Sequence, residues 1–200
     1  MEAAAEKQPR GPGRPSTGAR ERVLDAAVET LLEEGYAGLT YAKVAVRAGE
    51  NKSLISYYFG SKQGLVAAVA DIIGERITVA VVSELNNVET VPDIAAGMIA
   101  GVWKVMDEDP RLARLYFDLS AVSVVAVSLK KKIHLVKDRW REVIAGFMLD
   151  AGVRADRVAP LGTFLMSGVQ GLAIERLEGD QSDRLEAARK LFVRAAGAIA

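Results

Sequence analysis

Between Thr40 and Leu65 the chain reads TYAKVAVRAGENKSLISYYFGSKQGL, and this stretch limits the possible fold more than any other. Thr40 is placed to cap a short helix whose Val44 and Ala45 face inward. Ala48-Gly49-Glu50 makes the following turn, where glycine accepts a left-handed backbone and the small Ala45 lets two helices cross closely. Asn51 can cap a second short helix that ends near Tyr58, and Ser61 can cap a third, longer one. Two short helices at a glycine turn, followed by a long one, leave little room for any architecture other than helix packed on helix.

The rest of the sequence continues that pattern. Val23, Leu24, Ala27, Leu31 and Leu32 share one face of a first helix over Gly18 to Glu34, with Gly35 placed as its C-terminal cap. The helix opened by Ser61 presents Leu65, Val66, Val69, Ile72, Ile73, Ile77 and Val81 and is expected to end near Asn86-Asn87. Thr90-Val-Pro-Asp93 has the form of a capping box with proline in the first turn, opening a helix to about Asp107. Asp109-Pro110 starts another through Leu112, Leu115, Tyr116 and Leu119. Ala121 to Val127 is β-branched, but no partner strand is visible, so it reads as a buried helix end or a break. Lys130–Leu149, Asp156–Glu178 and Asp183–Ile199 complete the set. The expectation is an all-α chain of about nine helices. A basic arm over 1–16 and a three-helix helix-turn-helix domain over 17–65 precede a helical domain over 66–200, the boundary falling inside the fourth helix.

Composition narrows the chemistry. Half the residues are hydrophobic but only 6% are aromatic, which suits an aliphatic and alanine-rich helical core. The absence of cysteine removes disulfides, thiolate nucleophiles and cysteine-ligated zinc, and fits a reducing cytoplasm. The single histidine, His134, stands beside Lys130-Lys131-Lys132 without metal-ligand neighbours, and the lysines read as a solvated face. No convergent acid, base or nucleophile set and no Glu-x-x-His pattern is visible, so neither an enzyme nor a cofactor or metal site is expected. No apolar run is long enough to span a membrane, and the N-terminus has no apolar signal core.

Formal net charge is zero, but the charges are sorted. Lys7, Arg10, Arg14, Arg20 and Arg22 face one acid, Glu21, over residues 7–22, while Lys43, Arg47, Lys52 and Lys62 face only Glu50 between 40 and 65. A neutral chain sorted in this way can present a basic face to nucleic acid. The Arg10-Gly-Pro-Gly-Arg14-Pro segment reads either as a solvated tail or as a proline-extended arm whose Arg10 and Arg14 enter a DNA minor groove. A short helix fits the major groove, with Asn51, Lys52 and Ser53 at its N-terminal end able to reach base edges. Thr40, Lys43, Tyr57, Tyr58 and Lys62 are placed for phosphates, which fix register rather than sequence. Core packing accounts for Phe59 but not for two adjacent tyrosines, which cannot both face inward.

From Gly49 to Leu65 the chain resembles the TetR family of one-component transcriptional regulators. The residues that carry the resemblance are Thr40, Val44, Ala45, Ala48, Gly49, Ile55, Tyr57, Phe59, Ser61, Lys62 and Leu65, with the first helix at the expected distance. It covers the first quarter to third of the chain. Asp109-Pro110-Arg111 and the Tyr116-Phe117 helix further resemble the choline-responsive branch. Five departures stand out: Glu50 where a small apolar residue is usual, Asn51 for the usual capping serine, Ser53 for glycine, and Ser56 and Tyr58 in the usual Tyr-x-His-Phe run. Ser56 costs one phosphate-binding phenol.

The resemblance implies a repressor that binds palindromic double-stranded DNA as a homodimer and is released by a small-molecule effector. It implies dimerisation through the last two helices, which are rich in small residues (Gly162, Ser167, Gly168, Gly171, Ala173, Ala187, Ala188, Ala195, Ala196) and carry Leu161, Leu165, Leu172, Leu191 and Phe192 for burial. A monomeric core would look much the same. It also implies an effector pocket, with Trp103, Met106, Tyr116, Phe117, Trp140, Phe164 and Met166 as candidates, roughly a third of them lining it. The alternative is a helical module that binds a small molecule or a protein and carries a degenerate DNA reader, with Glu50 and Ser56 as its support.

Overall fold

The computed structural model describes residues 18–179 and 182–200; Arg10, Arg14 and the proposed arm lie outside the described residues. Nine helices and no strand occur among the described residues. They are α1 (Ala19–Gly38), α2 (Tyr41–Ala48), α3 (Lys52–Phe59), α4 (Lys62–Glu84), α5 (Val91–Glu108), α6 (Pro110–Val125), α7 (Val127–Asp150), α8 (Ala155–Leu177) and α9 (Asp183–Ile199). Two compact units divide between Leu65 and Val66, so that α4 contributes residues to both.

In the first unit α1 packs on α2 and α3. Its core is Val23, Leu24, Ala27, Leu31, Leu39, Val44, Ile55 and Leu65, all almost wholly buried. Helix α1 passes the expected stop: Gly35, at φ 68°, kinks it, and helix resumes to Gly38. The glycine breaks the hydrogen-bond run, yet its neighbours return to helical angles.

In the second unit α5 packs against α6, α7, α8 and α9, and α7 lies between α6 and α8. Ile94, Ile99, Leu115, Leu119, Leu129, Ile133, Met148 and Leu165 form its centre. The local starts follow the sequence. Thr90 accepts the Asp93 N–H at 3.3 Å and donates its hydroxyl to the Asp93 carboxylate at 2.6 Å. Asp109 accepts the Arg111 N–H at 3.1 Å, with Pro110 beside it at the helix start. Arg111 closes back on the same carboxylate at 3.0 and 3.1 Å, which gives the Asp-Pro-Arg run a capping role. At Gly101 the helices α4 and α5 come so close that a Cβ would sit 2.4 Å from the Val81 Cα.

Of the two readings of Ala121 to Val127, a buried helix end or a break, the break is found, at the extended Ala126, with Val124, Val125 and Val127 79%, 81% and 82% exposed. Ile72 on α4 is exposed although it continues an apolar face, and Leu191 on α9 is exposed in the single chain. Helical period assigns a side chain to a face and cannot say how far a neighbour covers that face. Helix α4 also ends two residues early, at Glu84, where Leu85 turns into the core.

Candidate nucleic-acid interface and ligand cavity

Caps fix the outer edge of the first unit. The Thr40 hydroxyl oxygen accepts the Lys43 N–H at 3.3 Å and starts α2. Gly49, at φ 65°, stops it, its own N–H returning to the last turn. Asn51 Oδ1 accepts the Ser53 N–H at 3.0 Å and starts α3. Ser61 Oγ accepts the Gly64 N–H at 3.1 Å at the head of α4. The turn between α2 and α3 is therefore held by hydrogen bonds at both ends.

Asn51, Lys52 and Ser53 are all exposed at the start of α3. They are not equally available. The Ser53 hydroxyl donates to the same Asn51 oxygen at 2.9 Å, so these two side chains occupy each other. Lys52 has no ion-pair partner among the described residues and presents its ammonium at this helix end.

The flanking cations are held. Lys43 pairs with Glu34, and Arg47 binds Glu33 through both guanidinium nitrogens, Nη1 at 2.9 Å. The Arg47 hydrogen bonds lower the Glu33 pKa, and Glu33 in turn raises that of Arg47. Glu50 is directed back to Arg22 on α1, its side chain only 14% exposed. The carboxylate in the turn thus joins the turn to α1. Lys62 is half-buried: its ammonium lies 4.6 Å from the centre of the Tyr36 ring and donates to the Ala37 carbonyl at 3.3 Å. Burial lowers its pKa. Lys62 thus makes its contacts within the unit.

Tyr57 is 75% exposed and Tyr58 half-buried, their rings edge to face at 5.4 Å. Phe59, read as core, is also only half-buried and carries the Arg20 guanidinium 5.7 Å from its ring centre. Thr40, Lys43 and Ser56 are exposed. Arg47, expected only as part of the basic face, lies four residues from Lys43, which places both on one face of α2.

The second unit contains a cavity of about 70 Å³ between α4, α5, α6, α7 and α8. Of the seven candidates, Tyr116, Phe117, Trp140 and Met166 line it and three do not. Trp103 lies beneath the Arg176 guanidinium at 4.7 Å, with Arg189 6.0 Å away. Met106 is buried against Ala113 and Ala173, which line the cavity, but does not line it itself. Phe164 stacks on Phe192 at 5.2 Å and is 36% exposed. Two polar lining residues, Thr78 and Gln170, escaped the sequence reading; each interrupts an apolar helix face, which was the available signal. Trp140 Nε1 donates to Thr78 Oγ1 at 3.0 Å, and Thr78 donates to the Gly74 carbonyl at 2.8 Å. The Tyr116 hydroxyl is buried near that of Ser120; burial pushes its pKa up to about 12, opposed in part by Ser120 and by the charge of Arg141.

A family model described as bacterial regulatory proteins, tetR family, matches residues 23–69. The chain is 25% identical over 189 residues to the HTH-type transcriptional regulator CymR of Pseudomonas putida, an alignment spanning 86% of this chain and 90% of that protein. A TetR-family regulator from Rhodococcus sp. superposes with a TM-score of 0.74 at 22% identity, over 92% of this chain and 99% of the other. The regulator FadR of Bacillus subtilis, crystallised with stearoyl-CoA, superposes with a TM-score of 0.71 at 19% identity, over 90% and 98%. These two likenesses establish the fold.

Proposed function

From the premise that this chain is a DNA-binding transcriptional regulator of the TetR family, we propose that it is a homodimeric repressor released from a palindromic operator by a small molecule. The observation that carries the reading is the exposed start of α3, where Lys52 is unpaired while the neighbouring cations are engaged. Lysine there can bond guanine O6 and N7 in the major groove. Thr40, Lys43, Tyr57, Tyr58 and Lys62 are proposed phosphate contacts, and Arg10 and Arg14 minor-groove contacts. For Lys43 and Lys62, binding would require leaving their present partners.

One short reading helix carries too little sequence information alone, and two-fold pairing doubles it. The proposed dimer surface is formed by α8 and α9, where Leu191 and Ile174 are 60% and 42% exposed and Gly171 faces open space. The proposed effector site is the α4–α8 cavity. An effector acts only through different affinities for DNA-bound and free conformations. Helix α4 is suited to carry that difference because it supplies Ile77, Thr78 and Val81 to the cavity and continues to Leu65. A regulator of this kind acts in the cytoplasm and is no enzyme.

Selection of bound genomic fragments by the purified protein at physiological salt tests the reading. A palindromic site is expected, bound with an affinity that falls steeply with salt. No enrichment over non-specific binding would favour the helical module with a degenerate reader. Of that alternative's two supports, Ser56 remains; the Glu50 charge is compensated by Arg22.

A further inference from the structure

We infer that Arg20 and Arg22, in the first turns of α1, are positioning residues for the reading helix α3, and that Arg22 also keeps the Glu50 carboxylate away from DNA phosphates. The inference rests on reading α3 as the helix that meets base edges.

Helix α3 has little to hold it. It is about two turns long, and among its described residues only Ile55 is buried. A helix with one buried anchor can rock about it. A tilt of α3 would move Asn51, Lys52 and Ser53 off the bases they are proposed to read. Base readout tolerates little of that, because its hydrogen bonds need short distances and near-linear angles.

The ties that stop the rocking lie on either side of Ile55. Before it, the Glu50 carboxylate accepts from the Arg22 guanidinium. After it, the Arg20 guanidinium lies 5.7 Å from the ring centre of Phe59, the last residue of α3. Both arginines stand where α1 begins, its opening hydrogen bond running from the Arg22 N–H to the Gly18 carbonyl at 3.0 Å. One short stretch of α1 therefore grips α3 at both ends.

The second role of Arg22 follows from charge. The backbone of Glu50 is fixed: its N–H donates to the Ala45 carbonyl at 3.0 Å, and that of Gly49 to the Val46 carbonyl at 3.3 Å. Its side chain thus leaves the turn directly before the exposed start of α3. A bare carboxylate there would repel the phosphates that flank the groove. Paired with Arg22, and with its side chain 14% exposed, it is neutralised and turned inward. Arg22 counts toward the basic face in the sequence, but in the fold it is engaged in holding this acid.

The test is operator binding by the full chain and by five variants: Arg22→Ala, Arg22→Lys, Glu50→Ala, Arg22→Ala with Glu50→Ala, and Arg20→Ala. Each is measured across single-base changes in the operator and across salt, beside its melting temperature. Arg22→Ala should bind about tenfold more weakly. Arg22→Lys, Glu50→Ala and the double variant should stay within about threefold of the wild type, and the double variant should keep the wild-type salt slope. Removal of the acid thus rescues loss of the arginine. Preference at the base read by Lys52 should relax in Arg20→Ala, Arg22→Ala, Glu50→Ala and the double variant alike. A double variant as weak as Arg22→Ala, with a salt slope shallower by about one, would make Arg22 a phosphate contact and overturn the inference. Unchanged base preference, or affinity losses that follow melting temperature rather than the presence of the carboxylate, would also overturn it. A wild type that selects no operator overturns the reading of α3 and the inference together; a wild type that binds, with variants that behave as it does, overturns the inference alone.

Discussion

The two units are held together by different means. In the first, polar contacts decide where the chemistry points: three caps, a left-handed glycine and four cations directed to specific partners. In the second, aliphatic burial decides, and the only polar chemistry at the cavity wall is a few groups among apolar neighbours. A reader must present fixed donors to a fixed lattice of bases and phosphates, so local hydrogen bonds suit it. An effector site must admit something and change, so a loosely filled apolar centre suits it.

That contrast predicts that the body fails by packing and the reader by loss of a contact. The largest effect is expected from Gly101→Ala. Alanine favours helix, but its Cβ would meet the Val81 backbone, which cannot yield. A loss of about 3 kcal/mol in urea unfolding is expected; an unchanged midpoint would mean that α4 and α5 are not in close contact. Next, Lys52→Ala should cost about 2 kcal/mol in operator binding and relax preference at one base position of each half-site, with stability unchanged. A uniform loss over all sequences would make Lys52 a phosphate contact.

Asp109→Ala should cost about 1 kcal/mol of stability through its cap on α6. The Arg111 hydrogen bonds lower the Asp109 pKa, so its contribution is present above the ordinary carboxylate range and lost as pH falls through that lowered value. Acid titration of unfolding free energy should accordingly differ between Asp109→Ala and wild type at neutral pH and converge in strong acid. The smallest effect on stability is expected from Glu33→Gln, because the pair is exposed and screened by solvent. Its consequence should appear instead in DNA binding: Arg47 is released, and the salt slope of operator affinity should steepen by about one.

The same contrast explains what could be read from the chain. Caps involve neighbours two or three residues apart, so Thr40, Asn51, Ser61 and the Thr90–Asp93 box were legible as caps and Asp109-Pro110 as a helix start. The Arg22–Glu50 pair spans 28 residues, and nothing local announces it; Glu50 therefore looked like a defect in the turn. The contact of Lys62 with the Tyr36 ring, on the kinked end of α1, spans 26 residues and was likewise not legible. In the body, periodicity found the helices but not the cover over them, so the exposure of Ile72 and of the valines at the α6–α7 break was not legible. The cavity aromatics were separable from core aromatics only by their neighbours. Trp140 and Trp103 are similar in sequence terms, but one faces Thr78 and the other an arginine.

The break at Ala126 has a consequence for the chain outside its native state. Residues 121–129 contain no charge and no proline and are rich in valine. A segment of this composition stacks readily into intermolecular β-structure when several chains unfold together. Lys130-Lys131-Lys132 follows it directly. Three like charges in register would repel between stacked copies, so the triplet acts as a gatekeeper against aggregation. The lysines that contribute no described fold contact would then earn their place during synthesis and heat stress, when the valines of neighbouring chains could otherwise find each other.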